Sequence, residues 1–244
     1  MERSASGAEP RLVLTVGLHG SASTWVFNVA RELLEASCGA ETVAVCHATE
    51  AADVAAARQA GRHLVAKTHG WPGVAAFARD QDAAVIVSVR DPRDAALSLM
   101  QRFGDSLDVA VGGVGRDCGC ASACAAAGHP VLRYEDGFFD DPATLRRIAA
   151  HLGVTPGAAV LDAIFARWRT DAVRARAAAV PTLPPEQRSP DGAPVMLERR
   201  TLVTRTHIGD GRSGKWREAF DAEPGGRMTR FFAPFLIRFG YPFG

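Results

Sequence analysis

Residues 12–38, LVLTVGLHGSASTWVFNVARELLEASC, contain the feature that most limits what this chain can fold into. An apolar run from Leu12 to Val16 passes through a Gly- and Ser-rich turn into a segment with Val26, Val29, Ala30, Leu33 and Leu34 near helical spacing. Strand, tight polar turn and helix form the unit from which parallel α/β sheets are built. Such a turn aims backbone N–H groups and the positive end of the helix at one point, where an anion binds. Lysine-bearing phosphate loops read Gly-x4-Gly-Lys-Ser/Thr. Here Gly17 is followed by Ala22-Ser23-Thr24, and the loop has no lysine.

The same alternation continues along the chain. Apolar runs at 42–48, 63–69, 83–91 and 129–136 read as further strands, and 50–61, 92–104, 141–154 and 156–180 as helices. Pro92 and Pro142 stand at helix first turns, where proline is tolerated. The expected fold is therefore α/β in three layers, α/β/α, with a central parallel sheet of about five strands covered on both faces. Five prolines between 181 and 194 make 181–200 a long loop. The aromatic end, MTRFFAPFLIRFGYPFG, is expected to dock on the core. Residues 1–10 are small and polar and read as a disordered lead to a single domain over 11–244.

Composition removes several function classes. A net charge of +1 provides no basic tail for nucleic acid. No run of eighteen apolar residues exists, so no membrane span is expected, and the N-terminus lacks an apolar signal core. A cytoplasmic protein is the expectation. Five cysteines, an odd number, argue against a disulfide framework. Cys118, Cys120 and Cys124 with His129 depart from paired C-x2-C zinc spacing, so they read as free thiols in a small-residue loop and helix.

Five local signals could carry chemistry. The loop offers the hydroxyls of Ser21, Ser23 and Thr24, with Trp25 to stack on a purine; the alternative is an ordinary turn capped by Ser21 or Ser23. Lys67 and His69 end the third strand, on the edge where open sheets bind ligands, and point to the same face. Arg90 ends the fourth strand with Ser98 two turns on, a fork and a hydroxyl for one phosphate; the alternative is a solvated Arg–Asp face of Arg90, Asp91, Arg93 and Asp94. Tyr134 ends the fifth strand. Gly209, Gly211 and Gly214, with Arg212 and Lys215, form a second flexible cationic turn.

In this order, GLHGSASTW, KTH, Arg90-x7-Ser98, YEDGFFDDPATLRRIAAHLG and GDGRSGKW resemble the PAPS-dependent sulfotransferases over roughly residues 12–220. The resemblance implies a P-loop-NTPase-like fold and 3′-phosphoadenosine 5′-phosphosulfate (PAPS) as donor, with no metal required. It implies that Gly20, Ser21, Ala22, Ser23, Thr24 and Trp25 hold the 5′-phosphosulfate, Trp25 lying against the adenine. Arg90 and Ser98 would hold the 3′-phosphate, Tyr134 the base, and Gly211, Arg212, Ser213 and Gly214 would close over them. His69 would take a proton from the hydroxyl or amine of a small-molecule or glycan acceptor, with Lys67 beside it. The family's loop cation falls on Gly20, leaving Lys67 and His19 as the nearest replacements. Asp210 stands where the family carries a cation, with Arg212 or Arg205 to compensate. The other readings are a catalytically degenerate nucleotide-binding regulator and a P-loop-like kinase. The acceptor would be framed by 70–80, 101–128 and 181–200, and no oligomer signal is visible.

Overall fold

A computed structural model describes residues 11–189 and 195–244. Readings that fall on 1–10 and 190–194 lie outside the described residues. Five strands, β1 (Leu12–Gly17), β2 (Val43–His47), β3 (His63–Thr68), β4 (Ala84–Val89) and β5 (Val131–Arg133), form one sheet in the order β2-β3-β1-β4-β5. All four pairings are parallel, with Val13 opposite Val65 and Thr15 opposite Ile86.

The period-two alternation of the strands builds two cores. Leu12, Leu14, Leu64, Ala66, Val85 and Val87 face one side of the sheet. They meet α2 (Ala51–Ala57), α3 (Val74–Asp80), α4 (Pro92–Phe103), α5 (Leu107–Ala126) and the C-terminal helix, through Val54, Val74, Ala95, Val114 and Phe232 among others. Val13, Val65 and Ile86 face the other side. There they pack on α1 (Ser23–Cys38), α6 (Pro142–His151), α7 (Ala158–Arg167) and α8 (Thr170–Ala179), through residues such as Leu33, Leu145, Ile164 and Val173. A short α9 (Trp216–Ala219) precedes α10 (Ala222–Phe239), which buries Met228, Phe232, Phe235 and Leu236 as the aromatic terminus suggests.

Two local readings are corrected, and one segment without a structural reading proves helical. Residues 107–126 form one continuous helix rather than a loop and helix, and 74–80 also fold as a helix. Cys118 and Cys124 are free and buried in the first core. Burial pushes both thiols above their ordinary range. The described part of the Pro-rich stretch holds two single-turn 3-10 helices, Val180–Thr182 and Pro185–Gln187, and the Arg188–Glu198 bridge ties its two ends.

Arg90, Asp91, Arg93 and Asp94 are all buried, so the solvated Arg–Asp face is not what forms. Asp91 caps α4 and pairs with Arg93, Nη2 to Oδ2 at 2.7 Å. Arg93 also donates to the carbonyls of Pro242 and Phe243 and lies over the Trp216 ring. Arg93→Ala would leave Asp91 buried without its counter-charge, which destabilises by about 3–5 kcal/mol. Urea unfolding checks this: the midpoint should fall while the slope stays that of the parent.

Candidate functional site

The C-terminal ends of β1, β3 and β4 open into a cavity of about 960 Å³. Of the residues singled out in the sequence, Gly20, Ala22, Ser23, Thr24, Trp25, Lys67, His69, Arg90, Ser98, Tyr134, Gly211 and Arg212 line it; Ser21, Ser213 and Gly214 do not.

The loop after β1 is shaped from beneath. Ser21 turns inward, its hydroxyl donating to the Leu18 carbonyl at 2.7 Å and meeting Ser88 Oγ at 2.9 Å. Its expected role as a ligand donor therefore becomes a structural one. Ala22 stands at the N-cap of α1 with φ 57° and no side chain caps the helix, so neither Ser21 nor Ser23 does so. Among the described residues the backbone N–H groups of Gly20, Ala22, Ser23 and Thr24 find no protein acceptor. A helix N-terminus left in this state is an anion site. Gly20 has φ +72°, and a Cβ there would lie 3.2 Å from Ser98 Oγ. The position that carries the cation in the resembled loop is thus one where a side chain is strained and crowded.

Arg90 is a strut across the cavity. Nη1 donates to the Gly20 carbonyl at 3.0 Å and Nη2 to the Arg212 carbonyl at 2.8 Å. Its guanidinium lies 4.2 Å from the Tyr134 ring centroid, and the Tyr134 hydroxyl donates to the Gly211 carbonyl. Ser98 lies beside Gly20, as the spacing requires. The second glycine turn is held by Asp94, a residue whose role the sequence did not reveal. Its buried carboxylate accepts from the N–H groups of Gly214 (2.5 Å) and Trp216 (3.0 Å). Asp210 is neutralised within its own turn by Lys215 at 2.8 Å and Arg212 at 3.1 Å. Those bonds hold its carboxyl well below the usual range, Lys215 first.

Opposite this strut stand Lys67 and His69. A carbonyl only accepts, so His69 Nδ1–H donates to Gly17 O at 2.6 Å. The ring's lone pair is then on Nε2, 3.1 Å from Lys67 Nζ. Burial first, then Lys67 and His19, push the imidazole well below its ordinary value, so it is neutral near pH 7. Burial, then Arg102, brings Lys67 down to about 8. The His19 ring stacks on His69 with centroids 3.5 Å apart, and its Nδ1 meets Asp117 Oδ2 at 2.6 Å. Asp117 on α5 is a second site residue that the sequence did not reveal. His19, His69 and Asp117 bring ligand-type atoms within 4.8 Å of one another. Asp117 is already taken by His19, and His69 Nδ1 by Gly17.

Trp25 is 6% exposed and packs edge-on to Phe138 at 5.5 Å, with its indole N–H unpartnered. Of the segments expected to frame an acceptor, 70–80 contributes nothing to this cavity. The segment 101–128 contributes Gln101, Arg102 and Phe103, and the Pro-rich stretch Val195 and Leu197. The rest of that wall comes from Trp168 just after α7, from α8 and from the segment 204–208: Thr170, Val173, Arg174, Thr204, Thr206, His207 and Ile208.

No protein-family model matches the chain, and no curated protein matches its sequence. Solved structures do match its shape. Mouse sulfotransferase SULT7A1 complexed with PAP superposes with a TM-score of 0.66 at 13% identity, over 94% of this chain and 84% of that one. Retinol dehydratase with androsterone and inactive cofactor PAP gives 0.60 at 15%, over 94% and 81%. Retinol dehydratase with retinol and PAP gives 0.60 at 15%, over 94% and 82%. The chain has the sulfotransferase fold. No helix of the described residues is long and apolar enough to cross a membrane.

The Asp94 clamp makes a direct prediction. In Asp94→Asn one amide oxygen must serve two N–H donors, and a buried donor without an acceptor costs about 1–3 kcal/mol. Hydrogen exchange at the Gly214 and Trp216 amides should accelerate by about ten- to a hundredfold relative to the sheet.

Proposed function

We propose that this protein transfers a sulfuryl group from PAPS to a hydroxyl or amine of an acceptor. The observation that carries the reading is the Arg90 strut: one guanidinium joins an uncapped helix N-terminus to a cationic glycine turn, in a cavity that a neutral, oriented histidine also lines.

The residues present fit such a donor. Thr24 Oγ1, Trp25 Nε1 and Arg90 Nε are buried polar atoms with no partner among the described residues, and all three residues line the cavity. The free amides of Gly20, Ala22, Ser23 and Thr24 suit the 5′-phosphosulfate. Ser98 and Arg90 suit the 3′-phosphate, and Tyr134 and Trp25 flank the base, with Gly211 and Arg212 closing over it. Ser213 and Gly214 act through the backbone of that turn. When bound, the donor supplies an activated sulfuryl group whose transfer in line leaves PAP. The chain's own part is positioning and charge stabilisation. His69 Nε2 accepts the acceptor's proton, the ring held by the Gly17 carbonyl. Lys67 supplies the positive charge that the loop lacks at Gly20. His19, backed by Asp117, stands as the second donor on the same side.

Calorimetric titration with PAP, with the same nucleotide lacking its 3′-phosphate, and with Mg-ATP tests the donor assignment. Preference for PAP, abolished in Arg90→Ala, is the expected result. Binding of Mg-ATP alone would move the protein to phosphoryl transfer, and binding of none of them would leave a vestigial site. The pH profile tests the cation. Lys67 has its pKa lowered to about 8, so the ammonium is present below that value and lost as pH rises through it. Turnover should therefore fall above about pH 8, and Lys67→Met should lower it at neutral pH and erase that limb. Full activity in Lys67→Ala would remove Lys67 from the role.

A further inference from the structure

We infer that the acceptor bears an oxyanionic group, a carboxylate or a phosphate ester, received by Arg102 beside His207 on the far wall of the cavity. This rests on the reading above that the cavity holds a donor and an acceptor together. Thr204 is the organising residue. Its backbone N–H donates to His207 Nδ1 at 3.2 Å, and its hydroxyl lies 3.1 Å from the same atom. Nδ1 is therefore the acceptor nitrogen, and the ring proton is on Nε2. Arg102 Nη2 reaches the Thr204 hydroxyl at 3.3 Å, so guanidinium and imidazole are held by one side chain. All three residues line the cavity, as does the buried Lys67.

This wall is rich in donors and poor in acceptors. The polar partners of Arg102 and Lys67 in the described protein are neutral groups, Thr204 and His69. Arg102 Nε is buried with no partner among the described residues. Arg174, also on the lining, adds a further positive charge. The two carboxylates on the lining, Asp140 and Asp210, belong to the nucleotide side. Asp140 lies close enough to Tyr134 to raise its phenol, and Asp210 is bound by Arg212 and Lys215. Burial lowers Arg102 and His207, and Arg102 and Lys67 add to the effect at His207; Asp117 acts on Lys67, while among the described residues Arg102 and His207 have no carboxylate within hydrogen-bond reach. A half-buried guanidinium whose buried Nε lacks an acceptor is unfavourable, and an oxyanion in its planar fork relieves it. A neutral hydroxylated acceptor would leave that charge unmatched.

The test uses the full chain and matched acceptor pairs: aryl and alkyl hydroxy acids against their primary amides, and sugar phosphates against free sugars. Each member is titrated into the PAP-saturated protein and assayed for PAP release from PAPS. At least one anionic member should be preferred over its neutral partner by about tenfold or more, since a charge-assisted hydrogen bond is worth about 1.5–3 kcal/mol. Arg102→Met should abolish that preference without changing PAP affinity, while Arg102→Lys should retain part of it. Thermal melting of both variants controls for folding. Equal treatment of every pair, no binding of any member to the PAP complex, or a preference that survives Arg102→Met would each overturn the inference. So would a loss of PAP affinity in Arg102→Met, which would place Arg102 on the donor. Failure of the parent protein to bind PAP would instead remove the sulfuryl-transfer reading on which the inference rests.

Discussion

Four ionisable side chains buried where β4 passes into α4 organise this molecule. Charges removed from water must be matched at close range, or the folded state loses several kcal/mol. Arg90, Asp91, Arg93 and Asp94 meet that requirement by reaching far along the chain. Arg90 takes carbonyls from residues 20 and 212, Arg93 takes those of 242 and 243, and Asp94 takes the amides of 214 and 216. Glu135 joins them, accepting from the Asp91 N–H and the Tyr241 hydroxyl. The phosphate-type loop, the glycine cap and the C-terminal tail are thus all fastened to one turn of α4.

The loop without its lysine reads differently once that frame is in place. A side chain at Gly20 would press on Ser98, so the backbone runs close to α4 and leaves its amides open. The neighbouring strand β3 brings Lys67 to the same cavity, where burial lowers its pKa. Moving a cation from a loop to a strand exchanges a long mobile tether for a buried, sterically fixed one. It also places the charge against the histidine, so the two groups titrate under each other's influence.

Much of this was legible in the sequence because it rests on local periodicity. The five strands alternate strictly enough to show which face each residue takes, and Lys67, His69, Arg90, Ser98 and Tyr134 follow from strand ends and one helical spacing. What escaped notice depends on contacts distant in sequence. Helix α5 is rich in glycine and cysteine, poor helix formers in isolation, yet small residues are what let it pack closely. A Cβ on Gly115 would lie 2.9 Å from the Phe231 ring, and Cys120 presses on Gly70. With α5 unread, Asp117 had no visible partner. Asp94 was legible only as one charge among alternating charges, a pattern that burial inverts. Ser21 resembles a ligand donor in sequence, and only the proximity of Ser88 turns it inward.

The Gly17 carbonyl orients His69, and the next carbonyl, that of Leu18, receives both the amide and the hydroxyl of Ser21 that shape the anion loop. The His69 ring and the loop amides are therefore registered to consecutive peptide units at the end of the central strand β1. Any displacement of β1 carries both together, so their separation is preserved while the surrounding walls breathe. In an enzyme that closes two bodies around its substrate, alignment is created at each encounter. Here it is set when β1 enters the sheet, and the entropy of organising those two groups is lost at folding.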